Sequence, residues 1–236
     1  MKGVILAGGN GTRLMPLTRS VNKHLLPIGG KPMLQHCVEK MTEVGIKDIM
    51  VITGGEHLGG IAEFLGSGCR FGCKFVFRVQ EEAGGIAQAL GLAEGFVERH
   101  VCVLLGDNIF EDDLQLAVET YRRSYSAMVV LKEVMDAERF GVAELKDGVI
   151  VGIEEKPKNP KSNLAVTGIY FYEKGVFDII RTLKPSNRGE LEITDVNNWY
   201  IQQRMMSYVI MNGWWTDAGT HESYRLANRL VIGAGG

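Results

Sequence analysis

Val4-Ile5-Leu6-Ala7-Gly8-Gly9-Asn10-Gly11-Thr12-Arg13 is the stretch that decides how this chain is read. A short β-branched apolar run at the N-terminus predicts a strand, and the glycines at 8, 9 and 11 predict a turn at its carboxyl end. Glycine leaves no Cβ in the way of a ligand, so Leu6, Ala7, Gly8, Gly9 and Gly11 can turn several backbone N–H groups toward one anion. Thr12 adds a hydroxyl and Arg13 a permanently charged planar fork suited to phosphate oxygens. The glycines alone fit an ordinary tight turn equally well; the arginine directly after them favours phosphate.

Two familiar phosphate loops do not fit. The P-loop needs a Gly-Lys-Ser/Thr that does not follow Gly8-Gly9. The dinucleotide fingerprint begins with Gly9-Asn10-Gly11 but meets Leu14 where its third glycine must allow close helix packing. Further on come Pro16-Leu17-Thr18 and Asn22-Lys23-His24-Leu25-Leu26-Pro27. Together, Leu-x-Gly-Gly-x-Gly-Thr-Arg-Leu-x-Pro-Leu-Thr and Lys-x-Leu-Leu-Pro-Ile resemble the signature of the sugar-1-phosphate nucleotidylyltransferases. The members that use dTTP and glucose 1-phosphate, in their short form, are the nearest in pattern. The likeness runs through several separated motifs, nearly end to end.

The chain has 236 residues, 45% hydrophobic and 23% charged, enough for one large α/β domain with a substantial core. A formal charge of −2 gives no reason to expect nucleic acid or an anionic membrane as partner. No apolar run approaches the roughly 18 residues that cross a bilayer, and Met1-Lys2-Gly3 does not begin a signal peptide, so a cytoplasmic protein is expected. Cys69 and Cys73 lack the second Cys or His pair that a zinc site needs, and the four cysteines are read as free thiols.

Strand-length apolar segments at 4–6, 48–52, 74–79 and 101–105 alternate with helical patterns near 31–44, 56–65, 84–98 and 112–125. This alternation predicts a doubly wound, mostly parallel α/β sheet, Rossmann-like and mixed overall, with ligands at the carboxyl ends of its strands. The later part is richer in strands. Asp147-Gly148 between alternating runs at 141–145 and 149–154 predicts a hairpin, 163–172 a strand, and 175–184, 190–204 and 220–232 helices. We expect a single domain over 1–236, with a nucleotide-binding part at about 1–135, a strand-rich sugar-binding extension at about 136–220, and a C-terminal helix whose glycine-rich end, 233–236, is frayed.

The resemblance implies a reaction in which a sugar 1-phosphate attacks the α-phosphorus of a nucleoside triphosphate and releases pyrophosphate. An already ionised nucleophile needs no activated Ser, Cys or His; the pocket must supply cations, a hard metal and alignment. Asp107, at the end of the apolar run 101–106, and Asp217, in Thr216-Asp217-Ala218-Gly219-Thr220, match the family's metal-binding motifs and imply Mg²⁺. Arg13, Lys23 and Lys156 are the expected catalytic cations, with Lys156 reaching the sugar phosphate. Lys31 is a weaker candidate because Lys31-Pro32 also starts a helix well. Gln80 and Gly85 are assigned to the nucleobase. Asn108, Gly141, Glu155, Val166, Thr167 and Arg188 are assigned to the sugar phosphate, although ion pairing within 188–195 accounts for Arg188 almost as well. His24 stands where the family more often has glutamine and is read as structural.

Base choice stays open at this point, because uridylyl transfer, or another sugar, needs only small changes in hydrogen bonding. A silent nucleotide-sugar sensor would be expected to have lost one of Arg13, Lys23, Asp107, Lys156 or Asp217, and all five are present. The family further implies a homo-oligomer, possibly a tetramer.

Overall fold

A computed structural model describes residues 1–124 and 126–234. The chain folds into two compact units that exchange the chain several times. One contains residues 2–83, 104–113 and the stretch from Gly213 onward; the other contains Met1, 84–103 and 114–212.

The first unit is built on parallel strands. Lys2–Ala7 pairs with Asp48–Gly54, with Gly3 opposite Ile49 and Ala7 opposite Thr53. Asp48–Gly54 pairs in turn with Lys74–Gln80. Val4, Ile5, Ile49, Val51 and Ile52 are fully buried, the near-continuous apolar pattern of strands covered on both faces. Lys74–Gln80 differs: Lys74, Val76 and Arg78 are exposed while Phe75, Phe77 and Val79 are half-buried, a period-two strand with one face in water. Parallel pairing requires crossovers, and helices Met33–Glu43 and Leu58–Leu65 supply them. Lys31-Pro32 does not open the first helix. It forms a two-residue strand against Pro27-Ile28, which leaves Pro32 as the extended residue that caps the helix start.

Two short strands that the sequence reading omits, Asn108–Phe110 and Trp215–Asp217, pair antiparallel and set Asp217 opposite Asn108. The C-terminal helix His221–Ala234 packs behind them, with Ala227 in a buried cluster with Ile28, Met33, Ile109 and Ala218. This helix continues through Gly233 to Ala234, past the expected fraying point; Gly235 and Gly236 lie outside the described residues.

The second unit is mainly antiparallel. Gly141–Lys146 and Val149–Glu155 form the expected hairpin, with Asp147 and Gly148 both at positive φ as a tight two-residue turn demands. Leu164–Glu173 pairs antiparallel with Gly141–Lys146 and with Ala127–Glu133, and Met206–Ile210 adds a parallel partner to the latter. The fold class is therefore α/β with a mixed sheet, parallel where the glycine-rich loop lies and antiparallel in the strand-rich part. Helices here are shorter than periodicity suggests. The pattern at 84–98 yields only Ile86–Gly91, since Gly91 and Gly95 weaken its continuation. The pattern at 190–204 yields Ile193–Gln202 because the backbone of Leu191 is taken by pairing with Gly84. The stretch 112–125 becomes Gln115–Ser124, with Tyr125 outside the described residues.

Candidate active site

In the first unit the glycine-rich turn is held by its neighbours as much as by its own sequence. Gly11 has φ 66°, and a Cβ there would come within 2.8 Å of Thr18 Cγ2. The Thr18 hydroxyl donates to the Gly11 carbonyl at 2.8 Å, and Thr12–Leu14 forms a 3₁₀ turn that carries Arg13. A Cβ on Gly9 would lie 3.3 Å from Lys23 Cε, and one on Gly8 would lie 2.6 Å from Gln80 Oε1. The loop glycines thus admit the side chains of Lys23 and Gln80.

Lys23 is almost fully buried, and its Nζ donates to Asp107 Oδ2 at 2.5 Å. The segment is fixed by Asn22, whose Oδ1 accepts from the His24 backbone N–H at 2.8 Å and meets His24 Nδ1 at 2.8 Å. An oxygen that already accepts one hydrogen bond can only accept the second, so Nδ1 carries the ring proton. His24 packs edge-on against Gly106, where a Cβ would sit 2.8 Å from its Cδ2. Burial and then the charge of Lys23 push the His24 pKa down to about 3, so the ring is neutral. For Asp107, burial by itself raises the pKa. The charge of Lys23 and the hydrogen bonds from Lys23 and Asn108 outweigh it and hold the carboxyl well below its usual range.

Gly106 N–H donates to the Leu6 carbonyl at 2.9 Å, which ties the Asp107 turn to the strand that leads into the glycine loop. Ala218 N–H donates to the Asp107 carbonyl at 2.8 Å. Asn108 is buried: its Nδ2 donates to Asp107 Oδ1 at 3.1 Å, and its Oδ1 accepts from Trp215 Nε1 at 2.7 Å. The point of convergence is Gly219. A Cβ built there would stand 3.3 Å from Arg13 Nη2, 3.5 Å from Asp217 Oδ2 and 3.7 Å from Asp107 Oδ2. One guanidinium and two carboxylates, from three segments far apart in sequence, come together at one glycine. Sequence reasoning singled out neither Gly219 nor the supports Asn22 and Trp215; the glycine after Asp217 was the available signal.

Two hard carboxylates meeting at one place fit Mg²⁺, which typically takes one or two carboxylates and completes its shell with phosphate oxygens and water. Among the described residues no group of three or more His, Cys, Asp or Glu is set to hold a metal without such help. Lys31 stands apart from this cluster, bonded to both Glu39 carboxylate oxygens at 2.9 and 3.1 Å.

In the second unit Glu155 and Gly141 are adjacent across the hairpin. A Cβ on Gly141 would lie 3.4 Å from Glu155 Oε2, the same oxygen that accepts from the Thr194 hydroxyl at 2.7 Å. Lys156 follows at φ 46°, a left-handed conformation unusual for lysine, with its N–H bonded to the Phe140 carbonyl and its Nζ 3.9 Å from Glu155 Oε1. Arg188 grips Glu192 with two bonds of 2.7 and 3.0 Å, touches Glu190 at 3.2 Å, and stands 3.8 Å from Glu155. Ser186 donates to the same Glu192 at 2.6 Å. Arg188 is thus locked in the ion pairs of its own segment, with Glu155 close by. Val166 and Thr167 are buried in their strand, and the Thr167 hydroxyl is spent on the Val130 carbonyl at 2.8 Å. Gly85 belongs to this unit and Gln80 to the first. At φ 98°, Gly85 lies against Leu191, whose carbonyl oxygen would be 2.6 Å from an added Cβ.

The family model described as nucleotidyl transferase matches residues 2–232. A glucose-1-phosphate thymidylyltransferase from Neisseria meningitidis is 44% identical over 98% of this chain and 82% of its own length. A low-salt glycan biosynthesis nucleotidyltransferase from Haloferax volcanii is 39% identical, over 98% of this chain and 66% of its own. Among solved structures, a Bacillus anthracis protein provisionally described as a glucose-1-phosphate thymidylyltransferase, in complex with sucrose, is 56% identical with a TM-score of 0.95, covering 98% of this chain and 95% of that one. A UDP-glucose pyrophosphorylase bound to UDP-glucose matches at 26% identity with a TM-score of 0.88, covering 97% of each chain.

Proposed function

This chain belongs to the nucleotidyl transferase family, and we propose from that footing that it makes dTDP-glucose and pyrophosphate from dTTP and glucose 1-phosphate. The observation that carries the chemistry is the meeting of Arg13, Asp107 and Asp217 at Gly219, with Lys23 bonded to Asp107 and pressed on the glycine loop. A phosphate oxygen of the sugar forms a bond to the α-phosphorus while the bridge to the β-phosphate breaks, and pyrophosphate carries away the electron pair. Nucleophile and leaving group are both anions, so the protein's part is to neutralise charge and impose an in-line approach. Arg13 and Lys23 meet the triphosphate, over a turn whose N–H groups from Gly8 to Thr12 surround it. Asp107 and Asp217 would hold Mg²⁺, which when bound would offset phosphate charge. Gln80 offers a donor and an acceptor to the base, and Gly85 gives it a flat backbone surface.

From the second unit, Lys156 takes the phosphate of the sugar and Glu155 accepts from its hydroxyls beside Gly141. Val166 and Thr167 contribute backbone, since the Thr167 hydroxyl is already used. Arg188 supports Lys156 through Glu155. Soluble substrates of this kind support a cytoplasmic reaction, and likeness to the family supports a homo-oligomer. The test is a matrix of dTTP, UTP, CTP and ATP against several sugar 1-phosphates with Mg²⁺, read as pyrophosphate release. Turnover highest with dTTP and glucose 1-phosphate is expected. Preference for UTP would move the reading to the pyrophosphorylase branch, and binding of both substrates without turnover would overturn it.

A further inference from the structure

The second unit carries a cavity of about 320 Å³ whose walls include Glu173, Asp178, Thr182, Trp199 and Tyr200, none of which serves the reaction above. Strand Leu164–Glu173 delivers Glu173 at its end, Gly175 turns the chain into helix Val176–Thr182, and helix Ile193–Gln202 presents the two aromatic residues. The Tyr200 ring is held between Tyr172, stacked at 5.9 Å, and Trp199, edge-on at 5.2 Å. Its side chain is 1% exposed, yet its hydroxyl has no hydrogen-bond partner. Burial, with Glu173 and Asp178 adding to it, pushes the phenol's pKa up, so the group stays a neutral hydroxyl.

The carboxylates around it differ in commitment. Asp178 is bonded to Arg181, which also donates to Glu94 at 2.5 Å. Glu173 makes no side-chain hydrogen bond or ion pair among the described residues, and its Oε1 stands 3.7 Å from where a Cβ on Gly175 would be. The cavity therefore offers one uncommitted carboxylate, from Glu173, beside the half-exposed indole of Trp199.

We propose that this cavity binds a small organic monocation, a primary ammonium or guanidinium on a short alkyl chain. The cationic head meets Glu173, while the chain lies on the Trp199 indole, whose face also attracts the charge. Anions are repelled by Glu173 and Asp178, a single free carboxylate is too few for a divalent ion, and the volume is at the small end for an organic ligand.

The proposal is independent of the transfer reaction and is tested without it. Propylammonium, 1-propanol and propionate are titrated to about 50 mM into the ¹⁵N-labelled protein, following the Trp199 indole and the Gly175 and Tyr200 amides. Saturable shifts are expected with propylammonium only, weakened roughly tenfold or more by Glu173→Gln and several-fold by Trp199→Ala, with thermal stability and pyrophosphate release unchanged. No saturation with the cation, equal binding of the alcohol, or undiminished binding in Glu173→Gln would overturn it.

Discussion

Replacing His24 with glutamine tests the electrostatic reading of the site through stability alone. The ring is buried, donates Nδ1–H to Asn22 and lies beside Lys23, so protonating its other nitrogen would bury a second positive charge. Its pKa falls from 6.5 to about 3 on folding. A group harder to protonate when folded makes the unfolded state the better proton binder below its ordinary pKa. Stability therefore declines as pH falls from about 6.5 toward about 3, at up to 1.4 kcal/mol per pH unit. Between about pH 7.5 and about pH 5 the integrated loss is about 2 kcal/mol. Glutamine can accept or donate in the same place and does not titrate. Urea unfolding of both proteins at the two pH values, compared as a double difference, cancels every other titrating group the two share. The wild-type protein should lose about 2 kcal/mol more than His24→Gln on acidification. Parallel pH profiles would refute the buried, neutral histidine.

Other substitutions probe the chemistry. Asp107→Asn and Asp217→Asn should each lower turnover about 10²–10³-fold, measured as pyrophosphate release over a Mg²⁺ titration; near-normal rates in both would remove the metal role. Gly219→Ala places a methyl group 3.3 Å from Arg13 Nη2. It should raise the KM for dTTP roughly tenfold with little change in melting temperature, because only the guanidinium must move. Gly85→Ala meets the Leu191 backbone at 2.6 Å and strains a residue at φ 98°. Its unfolding free energy should drop by about 1–3 kcal/mol, and an unchanged urea midpoint would show that the turn relaxes freely.

Much of the site is legible in the sequence because its motifs sit where local rules are strongest. The N-terminal apolar strand and its glycine turn announce the loop, and the run before Asp107 announces a strand end. Helix ends read less well. The segments 84–98 and 190–204 look helical by periodicity, yet Gly84 and Leu191 pair through their backbones and shorten both helices. Periodicity cannot see a partner a hundred residues away.

Arg188 shows the same division from the side of function, since its charge is visible in the sequence while its bidentate hold on Glu192 belongs to the folded chain. Fold class, the glycine-rich turn and the residue types of the candidate site were readable from the amino-acid order, since they follow from spacing within short windows or from motif likeness. Folding was needed to show that Lys23 is locked to Asp107, that His24 is neutral, and that Arg13, Asp107 and Asp217 meet around Gly219. Those facts depend on burial and on distances of a few ångströms between segments far apart in the chain, where desolvation and Coulomb attraction are set by packing.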